Sequence, residues 1–130
     1  MPVAAPSVMS LHLKYRLVIA ELNFDINVLR IFGDYLTELR AKRKEAEVKS
    51  KSDYFEKEFY SLRSEIDDIR HEMQLVKMEL GAFSRETQPF DYKMFNKKYR
   101  FPLRKRLLEY KKRFKKIYRE FEEFEGQWLS

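Results

Sequence analysis

Three segments of the chain repeat apolar residues at alternating steps of three and four, the spacing of helices that pack on one another along one face. They lie at residues 8–39, 55–83 and 103–128, and the only polar residue at a repeat position is Asp25. A random sequence does not keep this register over about four heptads in three separate places. The pattern therefore predicts three long amphipathic helices.

Polar runs and prolines between these segments predict where the helices end. The run 49–52, which contains only Lys and Ser, is the expected first turn. Pro89 marks the second, because a proline lacks an amide donor and disfavours a helical residue before it. Pro102 suits either the first turn of a last helix or a kink within one continuous helix, and both alternatives stay open for 91–126. The expected helices are about 8–48, 53–85, 91–100 and 102–126, after a disordered tail at 1–7.

The short connections make consecutive helices antiparallel. The expected fold is all-α: an elongated antiparallel up-down-up bundle of three long helices with a short extra helix before the last. It is a three- to four-helix bundle with coiled-coil-like packing. A chain of 130 residues fits a single domain over 1–130 and is long enough to bury a core without disulfides or metals.

The first helix carries a second line of apolar residues beside its repeat positions. Spaced seven, four, three and four residues apart, they are Leu17, Phe24, Val28, Ile31 and Tyr35. At about 100° per residue, most of this line points more than ~90° away from the packing face. Either the short helix at 91–100 or the last helix covers the line, or it is an interface for a second copy of the chain or for another protein.

Asp25 occupies a packing position, between Asn23 and Asn27. A buried carboxylate is costly unless it is paired. Three explanations remain: the residue fixes the helix register, it lies near the surface because the helix is rotated, or it binds a basic side chain of the last helix.

Charge is concentrated near the end of the chain. The net charge is +6, and between residues 97 and 119 twelve basic residues stand against one acid, Glu109. The candidates for binding an anion are Arg104, Lys105, Lys112, Arg113, Lys115 and Lys116. Such a stripe is typical of a surface that binds nucleic acid or an anionic membrane. Alternatively, the topology neutralises it, since 104–116 would lie beside the acidic stretch 65–79 and the acidic end 120–125 beside the basic residues of 40–51.

Residue types that support catalysis or metal binding are sparse. The chain has no Cys, two His and three widely separated Gly, so it lacks a thiol nucleophile and a Gly-rich phosphate loop. Asp68 and His71 have a metal-ligand spacing, but the heptad places His71 on the outer face. We therefore expect no enzyme, no catalytic residue, no metal, no cofactor and no small-molecule substrate.

No run approaches the ~18 uncharged apolar residues of a transmembrane helix, and the first residues lack a signal-peptide pattern. We expect a soluble, cytoplasmic protein. The leading functional prediction is a non-catalytic interaction, adaptor or assembly protein that works through the second line of the first helix as a homodimer or with a partner protein. The alternative is binding of nucleic acid or an anionic membrane surface through 97–119.

Overall fold

The computed structural model describes residues 6–85 and 90–129 of the chain. Its elements are α1 (Val8–Lys42), α2 (Ala46–Arg85), α3 (Tyr92–Phe95), a π-helical turn at Asn96–Arg100, and α4 (Phe101–Trp128). The predicted all-α class is confirmed. The predicted second turn at 86–89, and the predicted tail up to residue 5, lie outside the described residues.

The first turn lies at 43–45 and not at the predicted 49–52. Arg43 has an extended backbone, with φ −119° and ψ 133°, and this ends α1. Val48 and Ser52 are fully buried, so the packing face of α2 extends back through the polar run. The prediction was wrong because it weighed the polarity of the run and not the burial that Val48 gains in a longer helix.

The segment predicted as a short separate helix is continuous with the last one. The backbone is right-handed helical on both sides of the π-helical turn, at Phe95 and at Phe101. The Phe101 amide donates to the Asn96 carbonyl, one residue farther back than in an α-helix. Pro102 follows this wide turn, where the regular hydrogen-bond ladder is already interrupted, so its missing donor is accommodated.

Pairs of side-chain contacts show how the three long helices run past one another. These are Asn23–Arg70 and Arg40–Asp53 between α1 and α2, Glu58–Arg113 and Glu65–Arg106 between α2 and α4, and Glu21–Lys111 and Phe32–Phe121 between α1 and α4. Between α1 and α2, and between α2 and α4, higher residue numbers on one helix pair with lower numbers on the other, so these helices are antiparallel. Between α1 and α4 the residue numbers of both partners rise together. The up-down-up order is therefore confirmed, with α1 and α4 parallel.

The core lies along the predicted packing faces, and every repeat position is buried or half-buried. Near the first turn, Phe55, Phe59 and Phe121 contact one another with ring centroids 5.3–5.9 Å apart. At the other end, Phe95 is fully buried and meets the Tyr15 ring edge-on at 6.5 Å. The segment 92–100 thus closes that end of the core against the packing face of α1.

Candidate interaction surfaces

The second apolar line of α1 is exposed to solvent. Phe24 is 67% exposed, Leu17 56%, Tyr35 51% and Ile31 40%, while Val28 is half-buried. Neither element covers these residues: the segment 92–100 packs against Tyr15 on the opposite side of α1, and α4 contacts one flank of the line, at Asp25 and Phe32. Of the two explanations offered from the sequence, coverage within the described chain does not hold.

The structure lengthens this line at its start. Leu13, which was not predicted as part of this line, is 57% exposed, and Ala20 is exposed between Leu17 and Phe24. Leu13 was detectable, since it stands one helical turn before Leu17. We call the whole set the α1 stripe: Leu13, Leu17, Ala20, Phe24, Val28, Ile31 and Tyr35. It runs about 33 Å along the helix and stays within roughly 40° of the direction of Phe24.

Two grooves separate α1 from α4, because these helices meet through long side chains whereas α2 approaches both at close backbone distance. The groove of about 340 Å³ near the end of the chain is lined by Ile31 and Tyr35, so the α1 stripe forms its edge. The other groove, of about 270 Å³, has Lys14, Arg100 and Arg104 among its lining residues.

Part of the basic stripe is neutralised by α2. Arg106 lies 3.0 Å from Glu65, 2.9 Å from Glu72 and 3.6 Å from Asp68. Its pKa is raised, mainly by the hydrogen bond to Glu65 and further by the nearby carboxylates. Arg113, one of the anion-binding candidates, pairs with Glu58 at 3.0 Å.

The acidic end of α4 does not neutralise the basic residues around the first turn as expected. Glu120 accepts a hydrogen bond from Tyr54 at 2.8 Å and lies 3.9 Å from Lys116 of its own helix. Arg40 pairs instead with Asp53 and Glu56 of α2. The expected match therefore holds between α2 and α4 and fails at this end of the bundle.

The outer face of α4 keeps its charge. The remaining candidates, Arg104, Lys105, Lys112 and Lys115, are exposed and make no ion pair within residues 6–85 and 90–129. Phe101 and Leu108, on the same face and seven residues apart, are 64% and 50% exposed. We call this set the α4 outer face: Phe101, Arg104, Lys105, Leu108, Lys112 and Lys115.

Asp25 finds its partner on α4, and the partner is a hydroxyl rather than a cation. The Tyr110 hydroxyl donates to Asp25 Oδ2 at 2.8 Å, while the neighbouring Lys111 pairs with Glu21. Burial raises the pKa of Asp25, and the hydrogen bond from Tyr110 offsets only part of this rise. The pKa of Tyr110 is raised by its own burial and by Asp25. This contact fixes the register of α1 against α4.

In the part of the chain that the structure describes, no three His, Asp or Glu side chains converge in a way that would hold a metal ion. His71 is exposed on α2, and Asp68 is paired with Arg106. None of the described helices is long and apolar enough to cross a membrane.

No protein-family model, curated protein or solved structure matches the chain. We therefore infer function from the two surfaces above.

Proposed function

We propose that this chain is a non-catalytic interaction protein, an adaptor or assembly factor, that associates through the α1 stripe and forms a homodimer. One observation carries the proposal: Phe24, Leu17, Tyr35 and Ile31 are 40–67% exposed along one face of one helix. Monomeric proteins rarely leave a large contiguous apolar patch in water.

Burial of the stripe would be favourable. Complete burial of a large apolar side chain is worth roughly 1.5–3 kcal/mol, and these side chains still expose about half of their surface. Several such gains along about 33 Å of helix offset the loss of translational freedom on association. A partner helix with its own apolar face supplies this burial.

The substitution Phe24→Glu/Ile31→Glu tests the proposal. It places two carboxylates in the middle of the stripe, where burial against a partner would remove them from water. We expect light scattering after size exclusion to give twice 16.0 kDa for the wild type and 16.0 kDa for the variant. Because both residues are exposed, circular dichroism should show an unchanged helix content.

Leu75→Glu/Met78→Glu is the matched control. These two side chains on α2 are 50% and 69% exposed, so the chemical change is the same on another surface. The control should remain a dimer. A monomeric wild type, an unfolded stripe variant, or equal disruption by the control would each contradict the proposal.

A second candidate function is attachment to an anionic membrane surface through the α4 outer face. Its support is that Lys105, Lys112 and Lys115 form no ion pair with any residue that the structure describes, while Phe101 and Leu108 are exposed among them. Cations flanking exposed apolar side chains are typical of helices that lie in a membrane interface. Of the aromatic rings that lie between the basic residues of 97–119, that of Tyr110 is 3% exposed and cannot stack on a base, so base stacking would fall to Phe101 and Tyr118.

We test this candidate with vesicles containing phosphatidylserine and with Lys105→Glu/Lys112→Glu/Lys115→Glu. Each Lys near an anionic surface is worth about 1 kcal/mol, and salt screens this attraction. Wild type should sediment with these vesicles at low salt. The variant should not sediment with them at low salt, and wild type should not do so at high salt.

The matched control reverses three lysines that are exposed and unpaired elsewhere in the described chain, in Lys42→Glu/Lys49→Glu/Lys57→Glu. It should retain most of the binding. Absence of vesicle binding at low salt rejects this candidate. Binding to duplex RNA that is tighter than binding to vesicles, and that is unchanged in Phe101→Ser/Leu108→Ser, rejects it as well.

A further inference from the structure

We propose that the partner on the α1 stripe is a second copy of the chain lying antiparallel across it, related by a two-fold axis beside Phe24. This inference rests on the function proposed above and adds the arrangement of the two chains. The two helices would meet through one self-complementary surface, as in other two-fold dimers.

The spacing of the stripe is symmetric about Phe24. Counted outward, the same steps recur on both sides: four residues to Ala20 and Val28, seven to Leu17 and Ile31, eleven to Leu13 and Tyr35. When an antiparallel copy is centred on Phe24, each of these residues therefore meets its mate from the other chain. Every apolar position of the stripe is then covered, and neither end of the stripe extends beyond the partner helix into water.

The charges beside the stripe favour the antiparallel direction. Arg16 and Asp34 lie on the same flank, each about 80° around the helix from Phe24. Arg16 is exposed and makes no ion pair within the described residues, and the Asp34 side chain is 71% exposed, 3.7 Å from Arg30. Arg16 stands eight residues before Phe24 and Asp34 ten residues after it. Antiparallel pairing thus brings Arg16 to within about 3 Å, along the axis, of Asp34 of the second copy, while Arg30, the ion-pair partner of Asp34, lies farther around the helix, about 120° from Phe24.

A parallel arrangement would place like charges together. Lys14 lies on the opposite flank of the stripe from Arg16, and both are exposed. In a parallel pair, opposite flanks of the two helices face each other, so Arg16 would meet Lys14 of the second copy two residues away.

The bundle leaves room for this partner. α4 contacts α1 through Asp25 and Phe32, which lie roughly 80–100° around the helix from Phe24. Leu22 and Leu29 are buried still farther around α1 from Phe24. A helix that approaches Phe24 directly therefore meets neither neighbour, and the two-fold axis brings the α4 helices of the two copies to the same flank of the pair.

The absence of Cys from the chain makes disulfide trapping a direct test. A disulfide needs Cα atoms within about 7 Å. We expect Phe24→Cys to cross-link to itself under mild oxidation. Leu17→Cys alone should not, because its two copies would lie about 21 Å apart along the axis. A mixture of Leu17→Cys and Ile31→Cys should cross-link. Tyr60→Cys, at a residue 78% exposed on α2, is the control for random collision and should stay monomeric on a non-reducing gel.

A charge swap gives an independent result if a cysteine weakens the dimer. Arg16→Glu should raise the dissociation constant roughly two- to five-fold, and Arg16→Glu/Asp34→Arg should restore it. Self-linking by Leu17→Cys would overturn the antiparallel arrangement and leave the proposed homodimer standing. A wild type of 16.0 kDa together with no cross-link in any variant would overturn both.

Discussion

Asp25 links the packing of α1 to that of α4 through a single hydrogen bond from Tyr110, 2.8 Å long. Burial is the largest influence on its carboxyl and raises the pKa above the ordinary value of 3.8. A raised pKa means that ionisation costs the folded state more than the unfolded state. The contribution to stability is therefore complete below the ordinary pKa of the carboxyl and is lost as the pH rises through the raised value.

Asp25→Asn should consequently be more stable than wild type at neutral pH. The amide keeps an acceptor for the Tyr110 hydroxyl and does not ionise. Urea denaturation between about pH 3.5 and pH 7 should show a smaller decline in the free energy of unfolding for the variant. Tyr110→Phe is the complementary change and should lose about 1 kcal/mol at neutral pH, because it removes the donor. A variant Asp25→Asn less stable than wild type at pH 7 would mean that the charge itself stabilises the fold.

The sequence placed Asp25 on the packing face but did not identify Tyr110 as its partner. Heptad spacing gives the direction in which a side chain points. It does not give the relative position of two helices along their axes. The same limit applies to the neighbouring basic residues Lys105 and Arg106. The sequence does not show which of them pairs with α2, and the register of the packed helices gives that role to Arg106.

At the scale of the elements, helix type and packing faces were predictable, and helix ends were less so. Val48, Ser52 and Phe55 continue the four-three spacing of α2, so a signal for the earlier start was present in the chain. It was masked by the lysines of 49–52, whose side chains point to solvent while the backbone stays helical. The spacing of apolar residues carried no such signal for the π-helical turn at Asn96–Arg100.

Two proline substitutions test the start of α2. Ala46→Pro falls at the first helical position, where the amide has no intrahelical partner, and should change stability little. Ser50→Pro falls in the helix interior and should cost about 3 kcal/mol, although Ser50 is exposed. Chemical denaturation of both variants gives the comparison. If Ser50→Pro is tolerated and Ala46→Pro is not, the first turn lies near 49–52 after all.

For the whole molecule, short connections and heptads were enough to predict the order and direction of the long helices. The charge pattern was only half predictable: α2 neutralises one side of α4, at Arg106 and Arg113, and leaves the outer face basic. The exposure of the α1 stripe required the structure, since only packing shows that 92–100 lies against Tyr15 and away from Phe24. The molecule thus presents an apolar face on α1 and a basic face on α4.

The central claim is that association covers the α1 stripe, and the reactivity of a single thiol tests it most directly. Leu17→Cys and Tyr60→Cys each place one cysteine in a chain that has none, at residues 56% and 78% exposed. The rate of alkylation is measured in reducing buffer across a range of protein concentrations. We predict that the rate at position 17 falls as the concentration rises and the dimer forms, while the rate at position 60 stays constant. Equal and constant rates at both positions would contradict the account.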